Sequence, residues 1–248
     1  MSYQSFASVY DYLMSEAPYD KWLSFTRRKL EEKQKSFSNS SILDIGCGTG
    51  EMLIRFHNNG AKQLTGIDLS IDMLSVAHKK CEQVSCSPFL IQQSMSEFQT
   101  ENQYELITIY CDSINYLETE EEMKETFRRC YEHLKEDGLL LFDCHSISKI
   151  AQFIGETYTD DDEDVSYIWN SFSGAVNNSV EHELIFFQRG EDGRYDRYEE
   201  LHKQRTYPLQ SYVNWLERVG FTVESVEENF TENQATDESE RLFFSCSK

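Results

Sequence analysis

"ILDIGCGTG", residues 42–50, places glycines at 46, 48 and 50 directly behind a short apolar run that carries one carboxylate, Asp44. A glycine cluster alone marks only a tight turn, because glycine tolerates positive φ wherever a chain bends sharply. The flanks add more. "SILDI" (41–45) reads as a buried strand, and "GEMLIRFHNNG" (50–60) reads as a helix closed by Gly60. Strand, glycine turn and helix in that order are the setting of a nucleotide-binding loop. A dinucleotide site asks for G-x-G-x-x-G and a helix N-terminus free to receive a pyrophosphate. Here the third glycine comes one residue early and Glu51 follows it, so a carboxylate stands where a phosphate would lie. That counts against NAD or FAD, and a cationic nucleoside without phosphates meets no such repulsion.

The alternation continues outward. "QLTGIDL" (63–69) reads as strand, "IDMLSVAHKKCEQV" (71–84) as helix, and "PFLIQQ" (88–93) and "YELITIYCD" (104–112) as strands. "EEEMKETFRRCYEHLKEDG" (120–138) reads as helix and "LLLFDCHS" (139–146) as strand. Strands alternating with helices imply βαβ units and a mostly parallel sheet covered on both faces. Before this core, "SVYDYLM" (8–14) and "YDKWLSFTRRKLEEKQKSF" (19–37) are helical until "SNSS" breaks the pattern. After it, "DVSYIWNSFSG", "SVEHELIFFQRG" and "RYDRYEELHKQRTYP" (194–208) are strand-like, with the turn signals "NN" and "GEDG" between them, and read as an antiparallel insertion. "LQSYVNWLERVG" (209–220) returns to helix, and "FTVESVEE" and "RLFFSCS" are two final strands. The acidic run "DDDED" (160–164) lacks ligand-loop spacing and is expected to be a solvated, mobile loop.

The fold expected is therefore α/β: a Rossmann-like, doubly wound, mostly parallel sheet of seven strands, with an N-terminal helical lid (1–38) and an antiparallel cap insertion (151–207). The core comprises 39–150 and 208–248. Its 248 residues, 39% hydrophobic and 27% charged, describe an ordinary globular protein with no signal peptide or membrane span, hence a cytoplasmic location. Seven scattered cysteines without C-x-x-C spacing argue against disulfides or a structural metal site. A formal charge of −21 disfavours a nucleic-acid substrate. The one basic run, "RRK" at 27–29, is explained by a solvated helix face. A homodimer is left open.

"LDIGCGTG" resembles the first motif of the class I S-adenosylmethionine-dependent methyltransferases. Asp68 in "LTGIDLS" closes the next strand 18 residues after Gly50, about where an acidic residue grips ribose hydroxyls. A bacterial subgroup of that family carries "FAxVYDxLM…PYDxW", "DSxNYL" and "ExHxQRxY". Matches here are Phe6 to Met14 with Pro18 to Trp22, Asp112 to Leu117, and Glu200, His202, Gln204, Arg205 and Tyr207.

The resemblance implies S-adenosyl-L-methionine as cofactor and a methyl acceptor it does not identify. Gly46, Cys47, Gly48 and Gly50 would admit the cofactor. Asp44 would lie near its ammonium, Asp68 and Leu69 near ribose, and Met73, Ser94 and Met95 around adenine. Ser94 stands where the family usually has an acid and would accept the adenine amino group more weakly. Cys111 would bound the methyl group, and Tyr10, with Tyr3 and Tyr12, could cover the cofactor. Candidates for the transfer itself are Asp112, Asn115, Tyr116 and His145 at strand ends, and His202 on the insertion. The acceptor implied is a small molecule. A non-catalytic cofactor-binding protein and an NAD-dependent oxidoreductase stay open as alternatives.

Overall fold

The computed structural model describes residues 4–190 and 192–248, so Tyr3 lies outside the described residues. The strand β1 (Ser41–Ile45) is buried at all five positions. It lies inside a sheet covered on both faces, as a strand run without polar alternation requires. Parallel partners flank it, β2 (Gln63–Asp68) on one side and β4 (Tyr104–Ile109) on the other. Beyond them lie β3 (Phe89–Gln92) and β5 (Leu134–His145), then β11 (Arg241–Ser247), antiparallel to β5, and β10 (Thr222–Glu228). The order is β3-β2-β1-β4-β5-β11-β10. The order in which the chain adds its parallel strands switches from one side of β1 to the other between β3 and β4, and in open α/β sheets the crevice outside the carboxyl ends at that point receives ligands.

Helices cover both faces. On one, α2 (Tyr19–Glu32) and α3 (Glu51–Asn58) pack Trp22, Phe25 and Phe56 against Ile42, Leu106 and Phe243. On the other, α5 (Glu120–His133) and α7 (Leu209–Val219) pack Phe127 and Tyr212 against Leu43, Ile107 and Phe244. Adjacent residues such as Ile42 and Leu43 thus enter different layers, as strand alternation dictates. Two starts are capped as their sequences suggest. Ser70 accepts the Met73 N–H at the head of α4 (Ile71–Gln83), and Thr119 and Glu122 cap each other's backbone at the head of α5.

The insertion is a four-stranded antiparallel meander, β6 (Thr157–Asp161), β7 (Val165–Ser173), β8 (Ser179–Arg189) and β9 (Tyr195–Arg205). Its inner face carries Val165, Leu184 and Phe186, which meet Ala7 and Val9 of α1 (Gln4–Leu13) and Met73 of α4. No helix among the described residues is long and apolar enough to cross a membrane.

Several boundaries differ from expectation. The helix from residue 120 stops at His133, because Leu134 is fully buried and already pairs with Tyr104 as part of β5. The strand from Tyr104 ends at Ile109, where the backbone turns left-handed at Cys111 and Asp112. The second N-terminal helix ends at Glu32, and only a short 3-10 turn follows at Phe37–Asn39. A short helix, α6 (Ile147–Phe153), joins β5 to the meander. Asp160 and Asp161, expected in a loop, close β6, where ladder hydrogen bonds to Tyr167 and Ser166 hold the backbone and leave the carboxylates in water.

Candidate active site

A cleft opens at the carboxyl ends of β1 and β4, bordered by Tyr10, Asp44, Gly46, Gly48, Cys111 and Ser113. Asp44 is only 3% exposed, and the hydroxyl of Thr108 donates to its Oδ1 at 2.7 Å. No Lys or Arg among the described residues pairs with it. Burial and the nearby Asp68 charge, opposed by the Thr108 hydrogen bond, push its carboxyl up to about 7. A buried acid of that kind is relieved by a cation and is in poor company with a phosphate.

The glycine loop turns beside it. The Gly46 and Cys47 amides both donate to the Ile67 carbonyl, at 2.7 and 3.0 Å. Gly48 is left-handed, and its N–H donates to Asp68 Oδ2 at 2.8 Å, while a side chain there would find only the Tyr10 ring at 4.0 Å. Gly50 is also left-handed, and a Cβ on it would stand 3.1 Å from that of Ala77, so α4 approaches only because the position is bare. Asp68 Oδ1 accepts from the Ser70 N–H at 2.8 Å, so this one carboxylate ties the glycine loop to the head of α4. Burial raises its pKa despite the backbone donors.

Glu51 does not stand alone at the head of α3. Lys80 reaches it at 2.7 Å and Arg55 at 3.7 Å, so the charge expected to repel a phosphate is largely balanced. What disfavours a pyrophosphate is the unpaired Asp44. Lys80 also pairs with Asp11 at 2.6 Å, and Thr49 donates to Asp11 at 2.5 Å, which latches α1 onto the glycine loop. Around the rim, Leu69 is 70% exposed and Ser94 lies 3.0 Å from the Ser96 hydroxyl. Met95 packs against the α5-side core. Met73 packs toward α1 and the meander. Tyr12, on α1, joins that same cluster.

The second wall is the loop after β4. Cys111 and Asp112 are consecutive left-handed residues, neither of them glycine, at φ 55° and 49°. Such backbone costs on the order of 1–3 kcal/mol per residue and persists only where its surroundings over-determine it. Arg241 bridges Asp112, at 2.9 Å, and Asp143. Asp143 in turn accepts from the Trp22 indole at 2.8 Å and from the Asp112 N–H at 3.1 Å. Gln204 on β9 donates to Asp112 Oδ2 at 2.9 Å. Burial alone would raise the Asp112 carboxyl, but His145, Arg241 and Gln204 together hold it well below the usual carboxylate range.

Asn115 is fully buried with both amide atoms occupied, donating to the Arg205 carbonyl and accepting from the His145 N–H, each at 2.9 Å. It ties β5 to β9. The Tyr116 hydroxyl lies 3.2 Å from His202 Nδ1, and His145 Nε2 lies 3.4 Å from Asp112 Oδ1. Asp112, Asn115, Tyr116, His145 and His202 thus surround one loop. Arg241, Asp143, Trp22 and Gln204, which hold that loop, were not among the expected site residues. Trp22 and Gln204 sit inside motifs quoted above, but nothing in the sequence marks Arg241 or Asp143.

Residues 42–138 match the family described as "Methyltransferase domain". A Geobacillus sp. (strain WCH70) protein named as a putative methyltransferase is 46% identical over 249 residues, covering 100% of both chains. A crystal structure of an S-adenosylmethionine-dependent methyltransferase from Clostridium acetobutylicum ATCC 824 superposes with a TM-score of 0.87 at 29% identity, covering 99% of this chain and 98% of that one. A dTDP-3-amino-3,4,6-trideoxy-alpha-D-glucopyranose N,N-dimethyltransferase from Streptomyces venezuelae is 31% identical over 102 residues, 41% of each chain.

Proposed function

This chain belongs to the S-adenosylmethionine-dependent methyltransferases, and from that premise we propose how its residues divide the work. Membership sets aside both the nicotinamide oxidoreductase and the non-catalytic binder. The cofactor supplies an electrophilic methyl group on a cationic sulfur. Asp44, buried without a cation, would hold the ammonium of its amino-acid part, and this is the observation that carries the assignment. Gly46, Cys47 and Gly48 would give it backbone access, with Gly50 shaping the turn. Asp68 would keep its two backbone donors and offer its remaining lone pairs to the ribose hydroxyls. Leu69, Ser94 and Met95 would border the adenine. Met73, buried against the meander, would support that wall from behind. Tyr10 and Cys111 would close the methyl end of the cleft.

Methyl transfer is an in-line displacement, so positioning and exclusion of water are worth more than any single proton transfer, about 7–11 kcal/mol against roughly 3–5. The over-determined loop Cys111 to Tyr116 supports a role as the acceptor's platform, with the meander as its roof. We infer a small-molecule acceptor. The likeness to a methyltransferase named for an amino sugar supports this, as does a net charge of −21 that repels nucleic acid. Four separated motif blocks support placement in the bacterial subgroup named above. Titration calorimetry with S-adenosylmethionine and S-adenosylhomocysteine tests the cofactor assignment. Both should bind at one site, and Asp44→Asn should weaken both.

A further inference from the structure

Between the loop Asp112 to Tyr116 and the inner face of the meander runs a file of four rings. His145 meets Phe153 of α6 at 5.3 Å between centroids, Phe153 meets His182 of β8 at 5.1 Å, and His182 meets Trp169 of β7 at 5.1 Å. The two ends of the file share a property. His145 Nδ1 and Trp169 Nε1 are both shielded from solvent, and neither has a hydrogen-bond partner. Buried donors and acceptors are ordinarily paired, so two bare ones on a single file mark where the polar groups of a ligand would be met. Between them, His182 is 2% exposed, with Nδ1 engaged by Ser171 at 2.9 Å. Burial pushes its imidazole down to about 4, which keeps the middle of the file uncharged at neutral pH.

The two ends ask for different partners. The Trp169 indole is donor only, so it needs an acceptor oxygen such as a hydroxyl. His145 Nε2 faces the Asp112 carboxylate at 3.4 Å. That contact fixes the tautomer with the proton on Nε2 and leaves Nδ1 bare to receive one, the logic of an oriented base. Asp112 cannot serve as the base, because Arg241 and Gln204 already hold it.

Most cations near the file are paired with carboxylates: Arg241 bridges Asp112 and Asp143, and Lys149 and Lys203 face Glu240 and Glu181 at 3.7 and 3.6 Å, while Arg205 lies over the Tyr207 ring and donates to the Glu118 carbonyl at 2.8 Å.

We propose that this ring file lines the acceptor subsite, that the subsite takes a hydroxylated amine bearing no phosphate, and that His145 Nδ1 accepts the amine's proton. The proposal rests on the reading of Cys111 to Tyr116 as the transfer loop. An ammonium acceptor gives one proton to His145. Its freed lone pair then takes the methyl group, whose bond to sulfur breaks with its electron pair left on the sulfur. A neutral thioether and a methylammonium result. Once deprotonated, an amine carries a far more nucleophilic lone pair than a neutral hydroxyl, which is why the amine is the group transferred to and the hydroxyl only an anchor.

Glucosamine, glucose and UDP-glucosamine serve as probes of amine, hydroxyl and phosphate-bearing acceptors, each added to protein saturated with S-adenosylhomocysteine. The indole N–H resonance of Trp169, assigned with Trp169→Phe, is expected to move with glucosamine and not with the other two. With S-adenosylmethionine, N-methylglucosamine should form. His145→Gln should slow it about a hundredfold or more while leaving S-adenosylhomocysteine affinity unchanged. A resonance unmoved by glucosamine, or moved equally by glucose or by the nucleotide sugar, overturns the subsite. Undiminished methylation by His145→Gln overturns the proton assignment. Failure of S-adenosylhomocysteine to bind instead overturns the parent reading, so the two failures are distinguishable.

Discussion

Replacing Asp44 with asparagine should make the protein more stable and less able to bind its cofactor. A carboxyl that ionises near 7 in the folded chain and at about 3.9 when unfolded destabilises the fold by about 4 kcal/mol once fully charged. The sign follows from proton counts. Between about pH 4 and 7 the folded state holds a proton that the unfolded state has lost, so stability falls as pH rises and levels off above 7. Asparagine has no such slope. Its amide brings N–H donors where the site is built to meet acceptor oxygens, at about 1–3 kcal/mol, so the net gain at pH 8 is on the order of 1–3 kcal/mol.

Cofactor binding moves the other way. Loss of a charge-assisted contact of about 1.5–3 kcal/mol weakens S-adenosylmethionine roughly 10- to 150-fold. In the parent protein the affinity should rise with pH up to about 7, as Asp44 gives up its proton to meet a cation. Urea denaturation at pH 5 and pH 8, with calorimetry at both, measures all of this. Equal affinities, or stabilities of the two proteins that run in parallel from pH 5 to 8, would refute the reasoning.

Three further outcomes are expected. Asp68→Ala should cost about 1.5–3 kcal/mol of cofactor affinity by calorimetry, and it should also loosen the Gly48 loop, seen as faster amide exchange there. Arg241→Met leaves Asp112 and Asp143 buried without their cation and should destabilise by about 3–5 kcal/mol in denaturation; part of the loss should return below neutral pH as Asp143, already raised by burial, takes a proton. Gly50→Ala should be more destabilising than Gly48→Ala, because only at Gly50 would the methyl group crowd Ala77, and thermal melts of the two variants check the order.

The sheet was legible because its strands are short apolar runs set off by glycine turns. "SILDI" is buried at every position and could be little else than a central strand. The placement of Asp44 and Asp68 near the carboxyl ends of β1 and β2 was legible as well, since each stands at or next to the end of an apolar run. What escaped reading has no local signature. Arg241 meets Asp112 across 129 residues and Asp143 across 98, and a lone arginine at the start of a strand looks like any other. The strand β6 escaped because all five of its residues are exposed and two are aspartates, so neither burial nor propensity marks it. Leu134 was absorbed into the preceding helix because "EHLKEDG" has good helix formers, and tertiary pairing with Tyr104 outweighed them.

The strained turn at Cys111 and Asp112 also sets a schedule. The stretch that matches the methyltransferase domain, 42–138, contains the glycine loop and Asp68, yet Trp22, Asp143, Gln204 and Arg241, which hold the turn, all fall outside it. A nascent chain that has reached residue 138 therefore carries the glycine loop and Asp68 but not all the side chains that hold the turn. Only when β11 docks beside β5 does Arg241 arrive to fix the left-handed pair, so the two walls of the cleft are completed at different points along the chain.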